Sequence, residues 1–337
     1  MALIACDRCG ERLDAVARFC GACGAEIRDP NIQRTVAGRY VLRERIASGS
    51  LGIVYAAEQI GVGRKVAIKM LPADSNRDVQ TVERFRREGE VLCKLRSPHT
   101  VTTYEFDREP DGSLYIAMEL SAGQSLAHVL RREGPMPWPR VMKVLQGLCD
   151  SLGEAHAMGI IHRDLKPENI LVEERATNRQ FVKVSDFGLA KVMAANLRIS
   201  PVGQNVGSIE FSSPEQLLDR PLDARSDLYG LGVLAFLLIS GVHPFAEART
   251  FGEMVASHIQ KMPPRLTAVR PDVPPDVEAL IACLLEKDPN RRYPDTATLS
   301  AQLGLLLTGT PPEPGATIRT DESEEDTLMA DMPVKPK

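Results

Sequence analysis

The sequence predicts an α+β fold, with strands in its first part and helices in its second. Between residues 40 and 120, apolar and polar residues alternate in short stretches bounded by turn-forming residues. Later in the chain, apolar residues recur at helical spacing, most regularly over Pro139–Gly159. Strands that precede helices, rather than alternate with them, are typical of α+β domains. The predicted strands are Tyr40–Ile46, Ile53–Ile60, Lys65–Leu71, Val101–Asp107 and Ser113–Leu120.

Composition and charge exclude several classes of protein. The 337 residues are enough for one large domain with appendages. The formal net charge of −4 argues against a general nucleic-acid binder. No run reaches the ~18 apolar residues that a membrane span needs, and the most apolar stretch, Leu228–Ile239, suits a buried helix. No basic segment followed by an apolar core begins the chain, so we expect a cytoplasmic protein.

Residues 1–29 contain two Cys-x-x-Cys-Gly motifs, and their spacing predicts a metal site. Each motif can form a turn that directs two thiolates at one ion, and four thiolates make a tetrahedral zinc site. The alternative is a pair of disulfides, which a reducing compartment disfavours. The spacing resembles short zinc ribbons, with a structural role for Zn²⁺ and with a partner or self-association as open possibilities. The expected zinc ligands are Cys6, Cys9, Cys20 and Cys23.

The polar run His162–Asn169 (HRDLKPEN) lies between two apolar stretches, so it predicts a tight loop between short buried strands. The triplet Asp186-Phe187-Gly188 follows later in the chain. An acid, an ammonium and an amide on one loop, with a second acid on a nearby turn, suit phosphoryl transfer. One carboxylate orients a hydroxyl and accepts its proton, the ammonium neutralises phosphate, and the amide and second carboxylate hold Mg²⁺.

These motifs are similar to those of the eukaryotic-type (Hanks-type) protein kinase family, and Lys166 in the loop resembles its serine/threonine branch. The resemblance covers residues 40–306. It implies a bilobal fold: a small antiparallel sheet with one main helix, then a mostly helical lobe, with ATP between them. It also implies transfer of the γ-phosphoryl of Mg-ATP, or Mn-ATP, to Ser/Thr hydroxyls of protein substrates. Asp164 would be the base, Lys166 would neutralise the phosphoryl group, and Asn169 with Asp186 would hold Mg²⁺.

The resemblance also implies a nucleotide site. The segment from Ile46 to Val54 resembles the glycine-rich loop, with Ala47 at the position of its first glycine. Lys69 would contact the phosphates and pair with Glu88 on a helix predicted over Asp78–Leu95, where Glu90 is the competing partner. The residues implied in binding ATP are Ile46, Ala47, Ser48, Gly49, Gly52, Val54, Ala67, Lys69, Glu88, Met118, Glu119, Ser121, Asn169, Leu171 and Asp186.

Within that set, different residues take different parts of the nucleotide. Met118 would guard the back of the adenine pocket, and the hinge Glu119–Ser121 would hydrogen-bond adenine through its backbone. The apolar side chains that would enclose the ring are Val54, Ala67 and Leu171, which could equally be ordinary core residues.

Several residues around the loop have predicted supporting roles. His162 is expected to pack near Phe187 rather than act as a base. The resemblance implies that Asp227 caps the buried helix that it opens and braces the catalytic loop. It also implies a buried ion pair between Glu215 and Arg292, whose loss would destabilise the fold.

The activation segment would run from Asp186 to Glu215. Ser208 would hydrogen-bond the catalytic loop, and Phe211 replaces a common tyrosine. Ser200 is the predicted autophosphorylation site, with an unmodified serine as the alternative. A phosphate there would pair with Arg163 and so couple phosphorylation to geometry.

The ends of the kinase-like region differ from it in composition. Residues 30–39 form a short polar linker after the ribbon. Residues 307–337 are rich in proline and then in acidic residues, which predicts a disordered tail. Two rival functions remain: a pseudokinase scaffold acting through its zinc ribbon, and a kinase for small molecules. The complete set of catalytic groups argues against the first, and the activation segment argues against the second.

Overall fold

The computed structural model describes residues 3–6, 8–14, 19–25, 29–49, 52–71, 89–174, 181–187 and 209–309. Within these residues a strand-rich small lobe precedes a helical large lobe, as the sequence predicts. The ion pair expected for Glu88, the phosphorylation expected at Ser200 and the contact expected for Ser208 lie outside the described residues. So do most of the activation segment and the acidic tail.

The small lobe is a six-stranded antiparallel sheet with the order β3-β4-β5-β6-β8-β7. β4 ends three residues later than predicted, because it pairs with β5 as far as Gly49 and Gly52, and the bounds of the other predicted strands differ by one or two residues. A separate two-stranded hairpin, β1–β2, belongs to the N-terminal segment. The strands are β1 (Leu3–Ala5), β2 (Arg12–Asp14), β3 (Thr35–Val36), β4 (Tyr40–Gly49), β5 (Gly52–Gln59), β6 (Arg64–Leu71), β7 (Thr103–Arg108) and β8 (Leu114–Glu119).

Strand register divides the sheet into two apolar faces. Val54 pairs with Lys69, and Ala67 pairs with Met118, so these four side chains share one face. The opposite face forms its own buried cluster, which includes the fully buried Tyr55. One face of the sheet is therefore available to line a cleft, while the other is closed off as core.

The segment expected to be a linker, residues 30–39, is instead part of the small lobe. It contributes β3 to the sheet edge, and Val36 is fully buried. Just before it, the Asp29 carboxylate accepts a hydrogen bond from the Tyr55 hydroxyl at 3.0 Å. The segment packs here because the second face of the sheet needs apolar cover, which its few apolar residues supply although its composition is polar.

Helices build the large lobe around α4, which has 14 buried residues and carries charged residues only in its first turn. A short sheet, β11-β10-β9, lies at the edge of the lobe and carries the catalytic loop and its flanks. The elements are β9 (Gln124–Ser125), α1 (Leu126–Glu133), α2 (Trp138–Ala157), β10 (Ile170–Glu173), β11 (Phe181–Val184), α3 (Pro214–Leu217), α4 (Ala224–Ser240), α5 (Phe251–Gln260), α6 (Leu266–Val269), α7 (Pro275–Leu284) and α8 (Thr296–Thr308).

The cap of α4 differs from the prediction. Asp223 is the N-cap, and its side chain accepts a hydrogen bond from the Arg225 N–H at 2.8 Å. Asp227 lies inside the first turn and is almost fully buried. The helix begins earlier than the apolar run because its first turn is polar, so hydrophobic spacing alone places its start too late.

The predicted buried ion pair is present. Arg292 Nη1 and Nη2 lie 2.7 Å and 2.9 Å from the two carboxylate oxygens of Glu215, and both side chains are buried. Burial raises the pKa of Glu215, but the hydrogen bonds and charge of Arg292 outweigh it, so the net shift is downward. The bidentate geometry satisfies both charges and ties the start of α3 to the segment before α8.

Candidate active site and metal centre

Asp227 holds the catalytic loop, which is the run His162–Asn169. The two carboxylate oxygens of Asp227 accept hydrogen bonds from the backbone N–H groups of His162, at 2.8 Å, and Arg163, at 2.9 Å. Arg163 has a φ of 69°, a left-handed conformation that costs a non-glycine residue free energy and needs such support. The His162 ring is fully buried and packs edge-on against Phe187 with centroids 4.7 Å apart, as predicted. Asp227 is therefore the brace of the loop, although it does not cap the helix.

Three polar side chains of the loop converge on one point. Lys166 Nζ lies 2.6 Å from Asp164 Oδ2, and the Asn169 amide donates to the same oxygen at 3.1 Å. Asn169 also donates to the Asp164 backbone carbonyl at 2.8 Å. These bonds leave Asp164 Oδ1 without a partner among the described residues, and the side chain is partly exposed. The bonds to Oδ2 thus fix the orientation of the carboxylate.

A second carboxylate faces the loop from the next turn. Asp186 Oδ1 accepts from Lys69 Nζ at 2.8 Å, which joins the two lobes. Asp186 has a φ of 62°, so its position is also strained. The Lys69 ammonium is almost fully buried, and a buried charge is stable only when it is paired. Ser185, the residue before Asp186, donates its backbone N–H to the Asn169 carbonyl at 2.9 Å. The structure therefore places the Lys69–Asp186 pair next to the loop that carries Asp164, Lys166 and Asn169.

The apolar candidates for the adenine site lie on the cleft face of the sheet. Ala67 and Met118 are buried members of the main apolar cluster, and Val54 and Leu171 pack against it partly buried. This cluster continues into the large lobe, so the cleft has apolar walls on both sides. Such walls suit a planar ring, and the same contacts also serve the core.

The hinge candidates are anchored by their side chains. The Glu119 carboxylate pairs with the buried Lys183, and its backbone N–H donates to the Thr102 carbonyl at 2.8 Å. The Ser121 hydroxyl donates to Glu173 at 2.8 Å. Because the Glu119 N–H is already used, a ligand would meet the hinge through the remaining backbone groups of residues 119–121.

The glycine-rich segment forms the hairpin between β4 and β5. Register pairs Ala47 with Val54, Ser48 with Ile53 and Gly49 with Gly52, and Ile46, Ala47 and Ser48 are exposed. Gly52 has a φ of 139°, and a Cβ atom there would lie 2.2 Å from the Met70 carbonyl oxygen. Only glycine fits at this position, so the hairpin can lie close to β6 above the cleft.

The four cysteines predicted to bind zinc converge in the structure. Their Sγ atoms all lie within 4.8 Å of one another, with 3.6 Å between Cys6 and Cys23 and 3.5 Å between Cys9 and Cys20. The two motifs have the same turn. In each, the N–H of the glycine, Gly10 or Gly24, donates at 2.8 Å to the carbonyl of the cysteine four residues earlier.

The turn geometry also favours metal ligation. Gly10 and Gly24 have φ values of 74° and 70°, which only glycine adopts readily. Backbone N–H groups of Arg8 and Cys9 lower the pKa of the Cys6 thiol to about 7, because they stabilise the thiolate. Four thiols this close together fit Zn²⁺, which prefers four such ligands in a tetrahedron, and the set leaves no cysteine of the two motifs unused.

Two supporting residues were missed in the sequence. Gln216 donates from its side-chain amide to the Arg163 carbonyl at 2.9 Å and also completes a capping box with Ser213. The spacing Ser-x-x-Gln was a visible helix-start signal. The pairing of Lys183 with Glu119 had no signal in the sequence, because it depends on how β11 lies against the hinge.

A bilobal fold with these acidic and basic groups in its cleft defines the protein kinase class. The family model for the protein kinase domain matches residues 40–302. The chain belongs to the protein kinase family, and its relatives place it among the serine/threonine-protein kinases.

Two relatives and two solved structures illustrate this similarity. The chain is 37% identical to the serine/threonine-protein kinase pkn3 of Myxococcus xanthus over 280 aligned residues. The aligned region covers 82% of this chain and 51% of the relative. It is 34% identical over 293 residues to PknA of Mycobacterium tuberculosis, which covers 86% of this chain and 66% of the relative. The chain therefore spans about half the length of the first relative.

Two structures of the Mycobacterium tuberculosis PknI kinase domain share the fold. One has a TM-score of 0.64 at 25% identity and covers 82% of this chain and 98% of that domain. The other has a TM-score of 0.63 at 24% identity, over 81% of this chain and 97% of that domain. In the described part of the chain, no helix has the length and apolar character needed to cross a membrane.

Proposed function

We propose that this protein transfers the γ-phosphoryl group of Mg-ATP to serine or threonine hydroxyls of protein substrates. The observation that carries the proposal is the bonded cluster of Asp164, Lys166 and Asn169, to which Ser185, the neighbour of the Lys69–Asp186 pair, is hydrogen-bonded at the Asn169 carbonyl. Two carboxylates, an amide and two ammonium groups match the parts that phosphoryl transfer requires, because that reaction depends on positioning and charge rather than covalent catalysis.

Each group has a proposed role. Asp164 orients the accepting hydroxyl and takes its proton, while Lys166 neutralises the phosphoryl group in transit. Asn169 and Asp186 hold Mg²⁺ with oxygen ligands. Lys69 would contact the ATP phosphates, with Glu88 as its partner. The hairpin residues 46–52 cover the phosphates, and adenine lies between Val54, Ala67, Leu171 and Met118, bonded to the backbone of residues 119–121.

The regulation and setting of the enzyme are part of the proposal. We expect cytosolic signalling with autophosphorylation at Ser200, where the new phosphate would pair with Arg163. Arg163 Nε is buried and has no hydrogen-bond partner among the described residues, so its N–H group could donate to a phosphate. The Cys₄ cluster binds a structural Zn²⁺ in a short ribbon over residues 1–29, since so small a segment cannot bury a core. The ribbon is proposed to dock a partner or a second copy.

The test of the proposal is phosphate transfer from radiolabelled ATP to dephosphorylated casein, with and without Mg²⁺. The full chain should label casein on serine or threonine only when the metal is present. Asp164→Asn should reduce transfer by about 10²- to 10⁴-fold, the usual contribution of a general base, while ATP binding measured by calorimetry stays near the wild-type value. Asp150→Asn, at an exposed position on α2, is the control. Near-normal labelling by Asp164→Asn would refute the proposed base.

A further inference from the structure

The side chain of His243 lies between the end of α4 and residues 209–213, here called the pre-α3 segment. Its Nε2 atom is 2.8 Å from the Glu210 carbonyl oxygen, and its Nδ1 atom is 3.1 Å from the Phe245 backbone nitrogen. A backbone N–H group only donates, so Nδ1 accepts and the proton of the neutral ring is on Nε2. The ring therefore donates to Glu210, and its two nitrogens are both used.

Aromatic contacts hold the ring of His243 in place. Phe211 and Phe245 lie edge-on to it, with centroid distances of 6.0 Å and 5.9 Å. Burial lowers the pKa of His243, which favours the neutral form that both hydrogen bonds require. Ile209, at the start of the pre-α3 segment, is buried in a small cluster with Phe245 and Met254. The pre-α3 segment is thus fixed to this corner of the large lobe by one hydrogen bond and by packing.

The same segment is tied to the catalytic loop on its other side. Ser213 is fully buried, and Gln216 one turn later donates to the Arg163 carbonyl at 2.9 Å. Burial and the charge of Glu168 raise the pKa of Glu210, and the charge of Lys166 opposes them. The pre-α3 segment is therefore bonded to His243 through the Glu210 carbonyl and to the catalytic loop through Ser213 and Gln216.

A polypeptide that presents a hydroxyl to Asp164 must place its neighbouring residues beside the loop. Among the described residues, the pre-α3 segment is joined to this loop, because the Ser213 N–H donates to the Gln216 side chain, which in turn donates to the Arg163 carbonyl. We propose that His243 is a positioning residue for the protein substrate, because its hydrogen bond to Glu210 sets where the pre-α3 segment supports the bound polypeptide. This inference rests on the proposed function. It concerns the substrate and not ATP, because none of the contacts of His243 involves Lys69, Asp186 or the hinge.

The test compares variants of the full chain in steady-state phosphorylation of dephosphorylated casein. His243→Phe keeps an aromatic ring but loses both nitrogens, and His243→Asn keeps an acceptor near Nδ1 but not the distant donor. Each should raise KM for casein about fivefold, the effect of roughly one hydrogen bond, while KM for ATP stays unchanged. His243→Gln restores a donor near the Nε2 position and should recover a large part of the loss. These substitutions separate the bond to Glu210 from simple filling of the site.

Ser240→Ala is the structural control. Its hydroxyl bonds Phe236 and Val242 at the same end of α4 but does not touch the pre-α3 segment, so it should lower the melting temperature without changing KM for casein. The inference is overturned if His243→Phe and His243→Asn change KM for casein no more than Ser240→Ala does, or if KM for ATP rises in parallel. Absence of casein labelling by the wild-type chain would instead defeat the proposed function, and this inference with it.

Discussion

Lys69 and Asp186 are 117 residues apart in the sequence, yet their side chains meet at 2.8 Å between Nζ and Oδ1. One residue lies on the central strand of the small lobe, and the other follows the short sheet of the large lobe. The pair therefore exists only when both lobes are folded and closed on each other. It places a buried ammonium beside a carboxylate at the point where we propose that the ATP phosphates and Mg²⁺ bind.

Replacement of Lys69 by methionine tests this end of the site. The variant retains the aliphatic chain but loses the only ammonium that reaches Asp186 within the described residues. We expect transfer to fall by about 10²- to 10³-fold, the usual cost of removing one preorganised charge-stabilising group. Lys65→Met is the matched control, because Lys65 is exposed on the same strand. Equal rates for the two variants would contradict the role given to Lys69.

Two aspartates at the start of α4 should have separable effects. In Asp227→Asn an amide nitrogen, which can only donate, replaces one of the two oxygens that accept from the N–H groups of His162 and Arg163. The catalytic loop therefore loses one hydrogen bond. We expect kcat to fall by about tenfold, the effect of roughly one lost buried bond. Asp223→Ala removes the true cap and should cost about 1 kcal/mol of stability with kcat unchanged. Enzyme kinetics and urea unfolding of both variants check this, and the reverse pattern would mean that the brace and the cap are misassigned.

The ion pair of Arg292 with Glu215 predicts a large stability effect. Arg292→Met leaves a buried carboxylate without its partner, and it also removes donors from the Glu286, Arg225 and Lys287 carbonyls. The expected loss in the free energy of unfolding is about 3–5 kcal/mol. Arg43→Met breaks a half-exposed pair with Glu58 and should cost less than about 1 kcal/mol. Urea denaturation measures both, and similar losses for the two variants would count against burial as the cause.

Acid should destabilise the fold through His258. Burial lowers the pKa of this ring to about 3 in the folded protein, from an ordinary value of 6.5. Below pH 6.5 the unfolded chain binds a proton there and the folded chain does not, so the free energy of unfolding falls as the pH drops towards 3. One such group gives a slope of at most about 1.4 kcal/mol per pH unit. The Tyr229 hydroxyl lies 2.9 Å from Nδ1 of this ring, the Phe245 and His243 rings lie edge-on to it, and the charge of Lys287 also lowers its pKa.

The measurement is the stability of wild type and His258→Asn between pH 7 and pH 4.5. An amide at this position can still bond the Tyr229 hydroxyl but does not titrate. The variant should be less stable at pH 7 and should lose stability less steeply in acid than the wild type. His128→Asn removes an exposed histidine on α1 and is the control. Parallel pH curves for wild type and His258→Asn would show that this ring is not responsible.

Metal content tests the cysteine cluster. Protein purified under reducing conditions should contain one zinc ion per chain by elemental mass spectrometry, and Cys20→Ser should lose it, since all four thiols are needed for a closed site. Cys93→Ser, on the small lobe and outside the cluster, should keep the metal. A metal-free wild-type chain with disulfides between these cysteines would refute the zinc site, and iron in place of zinc would show as visible absorption.

Much of the site could be predicted from the sequence because its residues lie close together along the chain. His162–Asn169 contains the acid, the cation and the amide within one loop, and the two Cys-x-x-Cys-Gly motifs set their own turns. Local sequence was less reliable where a boundary depended on packing. Residues 30–39 look like a linker by composition, yet Val36 is buried because the outer face of the sheet needs cover. The predicted start of α4 is too late for a different reason, because its first turn is mostly polar and lacks the apolar residues that mark the rest of the helix.

By itself the sequence determined the strand and helix order, the chemical groups available for phosphoryl transfer and the four thiols for a metal. Only the tertiary structure decided which distant groups meet: Lys69 with Asp186, Lys183 with Glu119, and His243 with Glu210. The physical reason is range. Turn conformation and hydrophobic periodicity depend on residues that are near neighbours along the chain. A hydrogen bond or ion pair forms over about 3 Å in space, and the local sequence around one partner does not indicate which distant residue the other will be.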